Sequence, residues 1–233
     1  MTTQRQIKKL ATPLLERNSD LALIGWLIVL KPVHHFARGI VIDRTSSADI
    51  FRPRSAMLHM FGRFSHFALN YGERIYRNGP NIPGSWRWSE ADVAGAFADR
   101  IEREVLPWLR SFKLLDDYCA YALPTDPSKL VYYNGLQTLF SLALGDLDKA
   151  RDLMIADSAG EWIKFLNEKN SGLGDELKNV GSGLPREKRL FLASLLHEWE
   201  EYSVEKLKLG AVWESTPFAL EREAGYARNR TNR

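Results

Sequence analysis

The sequence predicts an α+β protein: an antiparallel meander of about four strands with flanking helices, followed by a helical C-terminal half. Three observations carry this prediction. The run LALIGWLIVL (Leu21 to Leu30) is dense in β-branched and large apolar residues. His34 to Arg44 alternates, with His34, Phe36, Arg38, Ile40 and Ile42 on one face and His35, Ala37, Gly39, Val41 and Asp43 on the other. From Ser89 onward the apolar residues recur three and four apart, the helical period.

In chain order, Arg5 to Arg17 reads as a helix, because Ile7, Leu10, Leu14 and Leu15 fall on one side; Asn18-Ser19-Asp20 stops it. Leu21 to Leu30 reads as one buried strand, ended by Lys31-Pro32. The alternating segment follows, then a polar turn at Thr45 to Asp49. Ile50 to Phe61 is a further strand broken at Pro53, and Phe64 to Tyr71 with Arg74 to Tyr76 supplies the fourth. The turn-rich NGPNIPGSWRWS is a loop carrying Trp86 and Trp88.

Ser89 is the expected cap of the next helix, with Asp92 three residues on. Its apolar stripe is Val93, Phe97, Ile101, Val105, Trp108 and Phe112, and Pro107 should kink or shorten it. Short helices follow at Leu114 to Leu123, Leu130 to Leu144, Leu147 to Ala156 behind Asp146, and from Ser158 and Glu161. NSGLGDELKNVGSGLP, with its four glycines, reads as a linker, and Pro185 opens a long last helix to about Leu209. GYARNRTNR is a basic tail. Pro124-Thr125-Asp126-Pro127 is the expected boundary between a sheet domain, 1–123, and a helical region, 124–233.

Length and composition fit an ordinary folded chain: 233 residues, 45% hydrophobic and 26% charged. The net charge is only +3, but it is unevenly spread. Lys31 to Trp88 holds nine Lys/Arg against three Asp/Glu, and Ser89 to Thr125 holds four against seven. A basic sheet beside an acidic helix pairs internally or offers a face to anions. Cys119 is the single cysteine, which excludes an internal disulfide and every two-cysteine metal motif. The opening residues do not read as a signal peptide, and Leu21 to Leu30 is about half the length of a membrane span. A cytoplasmic protein with no membrane partner is expected.

SLALGDLDKARDLM (Ser141 to Met154) resembles the middle of a tetratricopeptide repeat, with Leu144-Gly145 at the end of the first helix and Ala150 where the second must approach closely. No second copy appears about 34 residues away, so the resemblance implies one helical hairpin rather than a repeat array. WLIVLKPVHHFARGIVIDRTS, GSWRWS and EVLPWLRSF, in order between Gly25 and Phe112, are similar to families of bacterial α+β proteins. The resemblance rests on Pro32, His35, Arg38-Gly39, the tryptophan pair and Leu106-Pro107. Families of this build are often met beside toxin genes and have been proposed as immunity proteins, which implies an immunity role here.

The candidate residues are few. His34 and His35 are neighbours on a strand, so they face opposite ways and cannot share one metal without distortion. One is expected to pack and the other to face water. Arg38 shares a face with Phe36, Ile40 and Ile42, so it needs an acidic partner or a ligand. HEWEE (His197 to Glu201) echoes a zinc-protease helix but lacks the second histidine, and reads as a solvated acidic face. Cys119 reads as a buried apolar residue. Trp86 and Trp88 flank Arg87 and either form an exposed hot spot or close the core. No phosphate loop or nucleophile elbow occurs in the sequence.

The expected function is therefore a non-catalytic, protein-binding protein with an immunity or regulatory role. His35, Arg38, Trp86 and Trp88 are its binding candidates, and no catalytic residue, metal ligand or cofactor is assigned. The alternatives are a hydrolase or transferase built on His35, Arg38 and Asp43, and nucleic-acid binding through the basic strands and their phenylalanines.

Overall fold

The computed structural model describes residues 2–67, 72–79, 84–123 and 133–222. The expected linker at Pro124 to Pro127, the start of the helix at Leu130, the basic tail, and parts of the fourth strand and the tryptophan loop lie outside them. The chain divides into two compact units, Met1–Leu114 with Trp199–Ser215, and Leu115–Glu198 with Thr216–Arg233.

The first unit opens with helix α1, Gln4–Arg17. Thr3 caps it: its hydroxyl accepts from the Gln6 N–H at 3.3 Å, and its own N–H donates to the Gln6 side chain at 2.8 Å. Ile7, Leu10 and Leu14 are buried, as the period requires. The apolar run after Asp20 is two strands rather than one, β1 (Leu21–Ile24) and β2 (Leu27–Leu30). They form a hairpin closed by Gly25-Trp26, with Ile24 opposite Leu27. Gly25 has φ +61°, which a side chain would resist, and it stands first in a two-residue turn.

β3 (Phe36–Arg44) and β4 (Ile50–His59) form the longest ladder, from Phe36 opposite His59 to Arg44 opposite Phe51. Gly39 lies where β2 presses against β3, and a Cβ there would strike the Ile28 carbonyl. β5 is Trp86–Arg87, paired with Ile50 and Phe51. The sheet order is β1-β2-β3-β4-β5, antiparallel throughout. It is thus an α+β fold with a meander, as expected, but the composition of the meander differs. Phe64 to Phe67 is not a strand, and Arg74 forms only an isolated bridge to Arg54.

One face of this sheet carries Leu27, Val29, Ala37, Val41, Ala56 and Leu58 in a core shared with Val204, Leu209 and Val212. The other carries Phe51, which meets Phe97 of helix α2 (Val93–Arg100). The cap of α2 is Asp92, whose side chain accepts from the Gly95 N–H at 3.2 Å. Ser89 instead binds Asp49. After α2 a π-type turn, Ile101–Val105, leads into α3 (Leu106–Ser111). The Leu106 N–H reaches back five residues to the Ile101 carbonyl. Pro107, which brings no N–H, sits just beyond it, so the expected distortion takes this form.

The second unit is helical: α4 (Leu115–Ala122), α5 (Tyr133–Ala143), α6 (Leu147–Ala156), α7 (Glu161–Lys169) and α8 (Leu173–Val180). α5 and α6 pack on each other, with the Asp146 side chain capping α6 by accepting from the Lys149 N–H. The glycine-rich stretch is not a linker. Leu173 and Leu177 bury one side of α8, and Gly172 and Gly181, both at positive φ, bound it. Helix α9 (Arg186–Leu207) belongs to the second unit through Glu198 and to the first from Trp199.

Candidate functional site

In the first unit the two histidines precede β3 and take separate partners. His34 Nδ1 donates to the Glu214 carbonyl at 2.9 Å. There, the Val33 N–H donates to the Val212 carbonyl, and the Glu214 N–H returns to the Val33 carbonyl. His35 Nδ1 lies 2.8 Å from Glu200 Oε1 on α9. An ionised carboxylate only accepts, so Nδ1 carries the hydrogen of this bond.

The Glu200 side chain is 0% exposed and that of His35 12%. HEWEE is therefore not a uniformly solvated face: Glu200 turns inward, with Ser203 buried one turn further on. The Ser203 hydroxyl accepts from the Phe64 N–H at 2.8 Å. His35, Glu200 and Ser203 hold the last turns of α9 to the residues that precede β3 and follow β4. Glu200 and Ser203 escape notice in the sequence because their partners are far away along the chain. The available signal was helical spacing, since Glu200 lies four residues from both Leu196 and Val204, which are buried.

His59 faces Phe36 across the ladder and is 2% exposed. Its ring packs against Phe61 and Phe64, with centroids 5.2 and 4.9 Å away. Burial pushes its imidazole from the ordinary 6.5 down to about 3, so it is neutral at physiological pH.

Arg38 places its guanidinium over the Phe36 ring, 5.4 Å from the centroid. The cluster His35, Arg38 and Asp43 does not converge. Arg38 and Asp43 are on opposite faces of β3 and about 16 Å apart along the strand. His35 precedes the strand and is taken up by Glu200, whereas Asp43 lies near the far end of β3, opposite Arg52.

Trp86 is 1% exposed, so it closes the core instead of presenting a hot spot. Its Nε1 donates to the Ile75 carbonyl at 2.9 Å, Phe97 meets its ring edge-on, and Arg77 covers it at 5.1 Å. Trp88 is half-buried and stacks on Phe51 at 4.0 Å. The strand leading to it is tied to the β3–β4 turn. Asp49 accepts from the Ser89 N–H and hydroxyl, both at 2.9 Å, and these bonds draw its carboxyl below the usual range. The tryptophan loop is thus anchored on both sides of its second indole.

In the second unit Cys119 is buried, and burial pushes its thiol up, away from thiolate chemistry. His197 Nε2 donates to Glu221 Oε2 at 2.9 Å, and the same oxygen accepts from the Phe218 N–H at 2.6 Å. Among the described residues no group of three or more His, Cys, Asp or Glu is placed to hold a metal ion, and no helix is long and apolar enough to cross a membrane.

Comparison of the chain with protein-family models, with curated proteins and with solved structures yields no match.

Proposed function

We propose that this chain is a non-catalytic protein-binding protein whose helical unit offers the contact surface, with an immunity or regulatory role as its specific form. The observation that carries the reading is apolar exposure on those helices. Ile155 on α6 is 54% exposed, Val180 at the end of α8 42%, and Leu190 on α9 41%. α6 and α8 pack on each other, so Ile155 and Val180 belong to neighbouring helices. Large aliphatic side chains left in water gain by being covered, at roughly 25 cal/mol per Å² removed from solvent.

The chemistry of the histidines supports the same reading. His35 is held on Glu200 and His34 on a backbone carbonyl, and His59 is sealed among aromatic rings.

The test is affinity capture from cells of the native source, using wild type, Ile155→Asp/Val180→Asp and Trp88→Ala. The expected result is a reproducible protein partner, lost with the aspartate variant, kept with Trp88→Ala, and binding directly when purified. If the aspartate variant keeps the same partner, the helical surface is the wrong one. If nucleic acid is captured instead, with binding that falls steeply with salt, the basic strands become the functional face.

A further inference from the structure

On the outer edge of β4 the chain returns as a short extended segment around Arg74. The Ser55 N–H donates to the Glu73 carbonyl and the Ile75 N–H to the Pro53 carbonyl, both at 2.9 Å. These two bonds bracket Arg54 and Arg74 as directly opposed partners. They are the non-hydrogen-bonded kind of antiparallel pair, in which the Cα atoms approach to about 4.5 Å and both side chains leave on one face. Gly72 permits the approach, since a Cβ there would strike the Ser55 carbonyl.

Two guanidiniums are thus rooted at the closest cross-strand position, where like charges are destabilising. Neither can shed its charge, because arginine stays protonated at any accessible pH. The two heads diverge. Arg54 Nη2 reaches the Gly72 carbonyl at 3.4 Å, and Arg74 lies over the Tyr76 ring at 4.9 Å, in the opposite direction along the segment. Arg54 Nε is buried without an acceptor among the described residues. Arg52 stands two residues earlier on the same face of β4, and is exposed.

Among the described residues no ion pair joins Arg54 or Arg74 to a carboxylate. Asp43 is opposite Arg52, one step removed. Glu73 adjoins Arg74 in sequence, but successive side chains of an extended segment point to opposite faces. Residues 68–71 and 80–83 contain no Asp or Glu.

We propose that Arg54 and Arg74, flanked by Arg52, form a binding site for a phosphoryl group. The argument is charge and shape. Two arginines rooted at directly opposed positions can turn their heads onto one dianion, which answers both charges where a monoanion answers one, and the planar guanidinium fork suits phosphate oxygens. The bound group turns a repulsive pair into a bridged one. This site is independent of the protein-binding reading.

The test uses the full chain, with thermal unfolding and calorimetric titration. The probes are inorganic phosphate, acetate at equal ionic strength, and a nucleoside monophosphate. Phosphate is expected to raise the unfolding midpoint and acetate to leave it unchanged. Arg54→Gln and Arg74→Gln are each expected to weaken phosphate binding by about tenfold or more, as loss of a charge-assisted hydrogen bond should. Arg74 is exposed, so Arg74→Gln keeps the test readable even if Arg54→Gln does not fold. In chloride buffer Arg74→Gln should unfold no earlier than wild type, because it removes the repulsion. Tighter binding of the nucleoside monophosphate than of phosphate assigns the site to an ester, and equal or weaker binding assigns it to the free ion. An equal response to phosphate and acetate, or a phosphate response that survives in Arg74→Gln, overturns the proposal.

Discussion

Each unit sets a histidine against a glutamate, and the two pairs differ chiefly in the water left around them. His35 and Glu200 meet at 2.8 Å with the carboxylate wholly buried. His197 and Glu221 meet at 2.9 Å with side chains 21% and 29% exposed. The bond lengths are nearly equal, so length does not rank them. Burial does. Removing one partner from a buried charge leaves a desolvated group behind, whereas water re-solvates a group at the surface. The first pair also joins residues 165 apart in sequence, and the second joins residues 24 apart. Loss of the first therefore releases a long-range closure as well as a bond.

The sharpest way to break the comparison is His35→Leu. It deprives the Glu200 carboxylate of its imidazole and should destabilise the protein by about 3 kcal/mol. Chemical denaturation monitored by tryptophan fluorescence reads this directly. The double variant His35→Leu/Glu200→Leu should regain much of the loss, since an apolar pair of similar volume can replace a buried ionic one. If His35→Leu costs no more than a surface substitution, burial is not what distinguishes the two pairs.

His59 extends the comparison to a buried histidine whose ring packs against Phe61 and Phe64. Its native pKa, about 3, lies below the ordinary 6.5. The unfolded chain thus takes up a proton below pH 6.5 that the native state refuses. Its contribution to stability is complete above pH 6.5 and is lost as pH falls toward 3. Between pH 6.5 and 5 the loss is about 2 kcal/mol. His59→Gln should flatten that part of the stability–pH curve. An unchanged slope would show that His59 takes up its proton in the native state as readily as in the unfolded chain.

How far the sequence spoke depended on how local each cause was. The α1 stripe, the alternation through β3 and the turn after Leu144 each depend on neighbours within a few residues, and all were legible. The Gly25-Trp26 hairpin was hidden because both of its strands are apolar, so no polar residue marks the turn. α8 was hidden because two of the glycines that suggest a linker stand at its caps and a third, Gly174, lies within it, so that only Leu173, Gly174 and Leu177 form its buried side. The return of Trp199–Ser215 to the first unit was not legible at all. It depends on Glu200 finding His35 and on Ser203 finding the Phe64 N–H, pairings that no local pattern encodes. Trp86 and Trp88 were visible as a pair, yet which indole is sealed depends on the two-residue register of β5 against Phe51.

The smallest effect expected is at the second unit's pair. His197→Ala removes a hydrogen bond to Glu221 Oε2 but leaves that oxygen its bond from the Phe218 N–H. The carboxylate is also open to water, so its desolvation is slight. His197 further packs against Phe218, with ring centroids 4.8 Å apart, and that contact is lost too. The sum should stay at about 1 kcal/mol. The charge–charge part, present where His197 is protonated, should shrink with added salt, because the pair is within reach of counter-ions. Stability of wild type and His197→Ala measured across a salt series separates the two parts. A difference that falls with salt is the exposed ion pair, and the remainder is the ring contact. A loss as large as that of His35→Leu, and insensitive to salt, would mean that exposure has not set the difference between the two histidines.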